Sequence, residues 1–299
     1  MGLSIVILNY NDFKTTSTLL ELIKDYEAIS HIVVVDNKST ENDYERLLKY
    51  KSNKITVIQA RDNRGYSAGN NVGIQWVIDN TDDEFIAISN GDVEFDELFM
   101  SSLIERMNKD NKLAVVTGLQ YSPEGKLAGH PFWPEYTNKE YFSTQIHSLR
   151  VFYHLSHGTP DSNYAKKKML SGRDFFEVGT VEGSLFVIRT EVIKEIGLLD
   201  EKVFIYREED ILAKKIKRLD MKIGVDATVK YKHYGAQTTS KVFSSKTKIN
   251  HIYNSSIYYF NNYQSDNKLL QIFNYLLCNM LRIEETIVSN IKRKRQTNG

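Results

Sequence analysis

The chain has one cysteine, Cys278, in 299 residues. That excludes an intrachain disulfide and matches a reducing compartment. Charge of one sign is also missing: the formal net charge is +1 and no long basic stretch interrupts the body of the chain, so nothing points to a nucleic-acid partner. No run approaches the roughly 18 apolar residues of a membrane span. The opening Met-Gly-Leu-Ser-Ile-Val-Ile-Leu is too short and lacks the basic start of a secretory signal. The expected location is therefore cytoplasmic, with the inner face of a membrane as the alternative. The motif G-x-G-x-x-G is absent from the first turn and G-x-x-x-x-G-K-[ST] from the whole sequence, so neither a dinucleotide turn nor a P-loop is available to hold phosphates. There is no internal repeat. What remains is an ordinary globular composition, 41% hydrophobic and 26% charged, enough for one large domain or a domain with an appendage.

The first half alternates short β-branched runs with helical stretches. Ser4–Leu8, His31–Val35, Ile55–Ile58, Phe85–Ser89 and Leu113–Thr117 read as strands buried on both faces. Helices are predicted over Thr15–Ile29, Glu41–Tyr50, Ala68–Ile78 and Asp96–Asn108, with Asp12 or Thr15 capping the first and Thr40 the second. This alternation predicts an α/β fold, a doubly wound sheet with its ligands beyond the carboxyl ends of the strands. From Gln120 to Phe176 the pattern breaks into aromatic-rich loops or an inserted subdomain. Regular structure resumes with Leu185–Ile188, Glu191–Ile196 and Glu208–Leu219, then Lys222–Val225 and Val229–His233 as two strands. A final amphipathic helix over Asn267–Ile291 ends in Lys292-Arg-Lys-Arg295. Its apolar stripe suits packing on the body, a homodimer, or peripheral contact with anionic lipid.

Four polar segments follow strands and converge on one sheet edge: Asn9-Tyr-Asn-Asp12, Asp36-Asn-Lys-Ser39, Asn63-Arg-Gly-Tyr-Ser-Ala-Gly-Asn-Asn71 and Asn90-Gly-Asp92. Each alone is a polar turn. Together they suit a nucleotide: Asp36 can accept from a base N–H or ribose hydroxyl, Arg64 can approach phosphate, and Gly65 and Gly69 let the backbone pass close. Without a P-loop a divalent cation must neutralise more of the phosphate charge, and Asp92 is its obvious ligand. A fifth segment, Tyr206-Arg-Glu-Glu-Asp210, opens a helix. Its acids match the helix dipole, but one carboxylate could also remove a proton from an acceptor hydroxyl. Asp210 is favoured as that base, with the adjacent Glu209 orienting the acceptor or the metal shell. His233, beside a glycine turn, is either a packed histidine or a second metal ligand favouring Mn²⁺ over Mg²⁺.

Taken in order, Ser4-Ile-Val-Ile-Leu-Asn-Tyr-Asn, Val34-Val-Asp-Asn-Lys-Ser39, the Asn63–Asn71 loop, Asn90-Gly-Asp92, Gly197-Leu-Leu-Asp-Glu201 and Glu209-Asp210 resemble the family 2 glycosyltransferases of GT-A fold, nearest their bacterial rhamnosyltransferase-like branch. The resemblance runs from Leu3 to Tyr263. It implies a mostly parallel sheet flanked by helices: a catalytic domain over 1–240, divided into a nucleotide-binding half (1–118) and an acceptor half (119–240), then a C-terminal helical extension and basic tail over 241–299. It implies inverting, metal-assisted single displacement from a nucleotide-diphosphate sugar, dTDP-rhamnose or a UDP-sugar, to a hydroxyl of a cell-surface glycan or lipid-linked acceptor. Carried onto this sequence, Asp210 is the base, and Asp92 and His233 hold Mn²⁺ or Mg²⁺. Asn9, Asn11, Asp36, Asn63, Arg64, Gly65, Asn90 and Glu182 form the donor side. One departure is plain: the metal motif often reads Asp-x-Asp, and its first position here is Asn90. That departure motivates an alternative, a catalytically weak nucleotide-sugar-binding partner in a polysaccharide assembly complex. The aromatic loop His130–Phe142 is the candidate acceptor surface.

Overall fold

The computed structural model describes residues 2–128, 131–145, 160–235 and 244–297, of which 160–162 and 292–297 are described by backbone alone. His130 and the side chains of Lys292–Arg295 therefore lie outside the described residues. The first half runs β1 (Leu3–Asn9), α1 (Phe13–Ile23), β2 (His31–Asp36), α2 (Asp43–Leu47), β3 (Ile55–Gln59), α3 (Tyr66–Asn80), β4 (Phe85–Asn90), β5 (Val93–Glu94), α4 (Glu97–Lys109) and β6 (Leu113–Tyr121). The second runs β7 (Phe132–Trp133), α5 (Asn138–Gln145), α6 (Pro160–Met169), β8 (Phe175–Val178), β9 (Thr180–Val181), β10 (Leu185–Arg189), α7 (Thr190–Glu195), α8 (Glu208–Arg218), β11 (Lys222–His233), α9 (Ser245–Tyr259) and α10 (Lys268–Thr297).

The apolar runs are strands because both faces are covered. Ile5, Ile7, Ile32, Val34 and Ala87 enter one core layer, while Val6, Val33, Val35, Ile86 and Ile88 enter the layer on the opposite face. The main sheet has the order β3-β2-β1-β4-β10-β6-β11-β5, with β8 paired to β11. Strands β1 to β4 pair in parallel, as do β6 and β11. β10 is antiparallel to both its neighbours, as β5 and β8 are to β11, so the sheet is mixed, with most of its paired residues in the parallel ladders. An all-apolar strand carries the same burial pattern in either direction, so periodicity gives no sign of the reversal. The two strands expected over 222–233 are one, with a register irregularity between Asp226 and Lys230 that bends it against β6.

Helix ends also differ from expectation. α1 stops at Ile23, and the chain turns through Tyr26, whose hydroxyl donates to Phe95 O at 2.9 Å. The N–H of Phe13 that opens α1 donates to Asp43 Oδ2 at 3.1 Å, a cap supplied from α2. Thr40 instead donates through its N–H to Asn11 Oδ1 at 2.8 Å, and Asn42 takes the N-cap position of α2.

Strand order reverses between β1 and β4, and this places a crevice at their carboxyl ends. α3 roofs the parallel half at close range: a Cβ on Gly73 would stand 2.4 Å from Val6 Cγ1. Asn71 on the same helix clips the Gly197–Glu201 turn, donating to Leu199 O and accepting from Leu199 N at 2.9 and 3.1 Å. The N-cap position of α3 is Gly65, where φ is +98° and a Cβ would meet Phe204 O at 2.0 Å. The N–H of Tyr66 donates to the same Phe204 carbonyl at 2.9 Å. Gly65→Ala should therefore destabilise the protein by roughly 1–3 kcal/mol, and thermal unfolding followed by circular dichroism should show a fall in Tm of several degrees.

The aromatic region is mostly core. Tyr136 and Tyr141 are buried with Val203, Ile211, Tyr259 and Phe260, and Phe142 packs against that cluster. Tyr141 and Phe260 have ring centroids 4.9 Å apart. These rings seat α9 and α10 on the body rather than presenting faces to a ligand.

Candidate active site at the carboxyl edge of the sheet

The crevice is a cavity of about 650 Å³. The turns after β1 and β4, the start of α3 and the Glu182–Ser184 turn form one side, and the Phe204–Asp210 segment and His233 form another. Trp133, Thr144 and Gln145, with Ile252, Tyr253, Ser256 and Glu285 of the C-terminal helices, complete its wall. Of the residues singled out from the sequence, Asn63, Gly65, Asn90, Asp92, Glu182, Glu209, Asp210 and His233 line this one cavity.

Asn9, Asn11, Asp36 and Arg64 do not line it. Asp36 is fully buried. Its carboxylate accepts from Ser39 Oγ at 2.5 Å, Asn9 Nδ2 at 3.1 Å, Ser39 N at 3.2 Å and Gln59 Nε2 at 3.3 Å. Contact with a nucleotide requires exchange of those partners; as it stands, Asp36 ties the ends of β1, β2 and β3 together. Asn9 belongs to the same buried network, accepting from Thr16 Oγ1 at 2.8 Å. Asn11, at φ +52°, holds the adjacent loop through Thr40. The Arg64 guanidinium is half-exposed and pairs with Glu201 at 3.0 Å. Asn37, which the sequence did not single out, faces the cavity and donates to Asn63 Oδ1 at 3.1 Å.

At the sheet end of the cavity, His233 Nε2 lies 3.2 Å from Asp92 Oδ1, and its Nδ1 lies 2.8 Å from Gln120 Nε2 and 3.6 Å from Glu182 Oε1. Burial works against the charged imidazole, but the hydrogen bond to Asp92 and the charge of Glu182 outweigh it, and the pKa of His233 is raised. Among the described residues no group of three or more His, Cys, Asp or Glu is arranged to hold a metal ion. Asp92 and His233 nevertheless fit a partial site. Their separation resembles the edge of an octahedron around a small divalent cation, about 3 Å, and such ions are commonly held by one or two protein ligands with phosphates and water completing the shell.

Asp210 is buried at 6% exposure, and both of its oxygens are engaged. Trp133 Nε1 donates to Oδ1 at 2.9 Å and Arg207 Nη1 to Oδ2 at 2.9 Å. The Arg207 guanidinium lies 5.3 Å from the ring centre of Tyr141 and 5.8 Å from that of Tyr259. Tyr206 and Arg207 both take φ +71°, a strained pair that turns the chain so α8 starts with its acids at the cavity. Glu209 accepts from Gly183 N at 3.3 Å and Tyr66 OH donates to Gly183 O at 2.5 Å, so the Glu182–Ser184 turn is held from both sides. Trp133 and Arg207 were missed as partners of Asp210. Arg207 was legible only as a neighbour in the motif, and Trp133, 77 positions away, gave no local signal.

Residues 4–197, more than half of the chain, match the model of glycosyl transferase family 2. The chain belongs to that family. The low-salt glycan biosynthesis hexosyltransferase Agl10 of Haloferax volcanii is 26% identical over 223 residues, 74% of this chain. The match spans 64% of that relative's length, so the two are not alike throughout. The mannosyltransferase PcManGT from Pyrobaculum calidifontis, solved with GDP-Man and Mn²⁺, shares the fold at TM-score 0.57 and 12% identity, over 96% of this chain and 73% of that one. S. aureus TarS 1-349 in complex with UDP-GlcNAc does so at TM-score 0.55 and 15% identity, over 92% and 70%. The family assignment and these neighbours agree with the GT-A architecture expected from the motifs.

Glu208 faces the cavity with its Oε2 buried and lacking a hydrogen-bond partner. Burial, reinforced by the charge of Asp210, pushes its pKa up to about 7 from an ordinary 4.5. Burial and the charge of Glu208 likewise raise Glu209. A carboxyl whose folded pKa lies above its unfolded value contributes stability that is complete below pH 4.5 and lost as pH rises through about 7. Glu208→Gln should remove that loss: the Tm of the variant relative to wild type should climb between those pH values and then level off, by the equivalent of at most ~3 kcal/mol.

Proposed function

We propose that the protein transfers a sugar from a nucleotide-diphosphate sugar to an acceptor hydroxyl, with inversion, in the cavity between Asp92 and Asp210. The observation that carries this reading is the cavity itself. One cleft at the strand-order reversal of a family 2 chain presents a carboxylate–imidazole pair at one end and a buried, oriented carboxylate at the other. The donor's nucleotide belongs on the side formed by the turns after β1 and β2, beside Asn37 and Asn63, and its sugar beside Glu182 and Gly183.

Asp210 is the group that takes the acceptor proton. Arg207 and Trp133 fix its orientation by donating to its two oxygens. As the acceptor oxygen attacks the anomeric carbon from the Asp210 side, the bond to the diphosphate breaks on the opposite face, and the proton passes to a carboxylate oxygen of Asp210. Glu209 holds the Gly183 amide and thus the turn beside the sugar. A divalent cation bound by Asp92 and His233 would supply positive charge to the leaving diphosphate. With Asn90 in place of a carboxylate, this motif offers one acidic ligand. The resemblance to rhamnosyltransferase-like members makes dTDP-rhamnose the first donor to assay, beside UDP-sugars. The proposed acceptors are growing cell-surface glycans and lipid-linked glycans.

The test is release of nucleoside diphosphate from a donor panel, dependent on acceptor and on Mn²⁺ or Mg²⁺. Asp210→Asn should lower kcat by on the order of 10²–10⁴ with donor binding retained; transfer at the wild-type rate would remove Asp210 as base. Donor binding by the wild type without any transfer would support the alternative of a binding partner.

A further inference from the structure

α10 buries one face and leaves another uncovered. Leu277, Cys278 and Leu281 pack with Ile249 and Tyr253 of α9. On a different face, Leu269 is 77% exposed, Leu276 61%, Met280 58%, Ile283 62% and Ile287 54%, and Ile272, Phe273 and Ile291 are exposed beside them. At 100° per residue these eight side chains fall within about 100° of arc, a continuous apolar stripe about 33 Å long. We propose that this stripe, with the basic segment that follows it, docks the protein on the surface of an anionic lipid bilayer.

Two observations select a bilayer over a second copy of the chain. The charge is one-sided: α10 contains Lys268, Arg282 and Lys292-Arg-Lys-Arg295 against Glu284 and Glu285. A parallel second copy sets four consecutive basic residues beside four more, and an antiparallel one sets them opposite 265–268, whose one acid is Asp266. Anionic headgroups supply the missing countercharge. Finally, Glu285 of this same helix lines the cavity. A helix about 10 Å thick lying on the bilayer therefore holds the cavity wall within reach of a headgroup-linked acceptor. Among the described residues no helix is long and apolar enough to cross a membrane, so the contact is with the surface.

This inference stands apart from the proposed transfer, because its readout is lipid binding without donor or acceptor. The full-length chain is floated with phosphatidylcholine vesicles, with and without phosphatidylglycerol. Wild type should float with the phosphatidylglycerol vesicles and be released as salt is raised. The variant Leu276→Glu/Ile283→Glu/Ile287→Glu, with an unchanged unfolding transition, should float on the order of tenfold less. The variant with 292–295 changed to glutamine should lose its preference for the anionic vesicles. Failure of wild type to float, or equal flotation by the triple variant, overturns the proposal. So does a lipid-free dimer, measured by light scattering, that the triple variant converts to monomer.

Discussion

The Arg207–Asp210 ion pair is the contact on which the site depends. The two side chains are 18% and 7% exposed, and the pair is completed by Trp133. Taking both charges out of water costs several kcal/mol per ion, and removing one partner of such a pair typically costs about 3–5 kcal/mol because the other is left buried and unpaired. The fold meets this by surrounding the pair with elements from distant parts of the chain: Trp133 on β7, Tyr141 on α5, Tyr259 on α9, and Ser256 Oγ 3.4 Å from Arg207 Nε. α9 is thus tied to the proposed base through the Arg207 guanidinium.

A second constraint runs through Gly65 and Phe204. The loop before α3 and the segment carrying Arg207 touch backbone to backbone, with the Tyr66 N–H donating to Phe204 O and the Tyr66 hydroxyl reaching Gly183. Three segments of the cavity wall, starting near residues 63, 182 and 204, are therefore positioned by one glycine–tyrosine step. The strain at Tyr206 and Arg207 persists because these neighbours over-determine it.

Much of the site was legible because it is assembled by strand ends. Once Leu3–Asn9, His31–Asp36 and Phe85–Asn90 are recognised as parallel strands, the polar residues after them must share an edge, and Asn63, Asn90 and Asp92 do meet in one cavity. The same logic placed Asp36 there too, but its loop folds back and its carboxylate is taken up by Ser39 and Asn9. Hydrogen bonding between neighbouring loops decides which polar residue at a strand end faces the ligand, and spacing carries no record of it. In the same way, the rings of 136–142 suited a sugar platform as well as a core, and packing against Phe260 made them core.

The sequence by itself determined the α/β class, the family, the ordered motifs and the amphipathic last helix, because each is written in local periodicity or in a contiguous run of residues. Only the tertiary structure decided the antiparallel insertion of β10, the capping of α1 by Asp43, the withdrawal of Asp36 and Arg64 from the cavity, and the pairing of Asp210 with Arg207 and Trp133. These depend on contacts between segments tens of residues apart, or on which face of a short loop turns inward. The choice there is made by burial and by the need of each buried polar group for a partner, and a one-dimensional pattern leaves both unspecified.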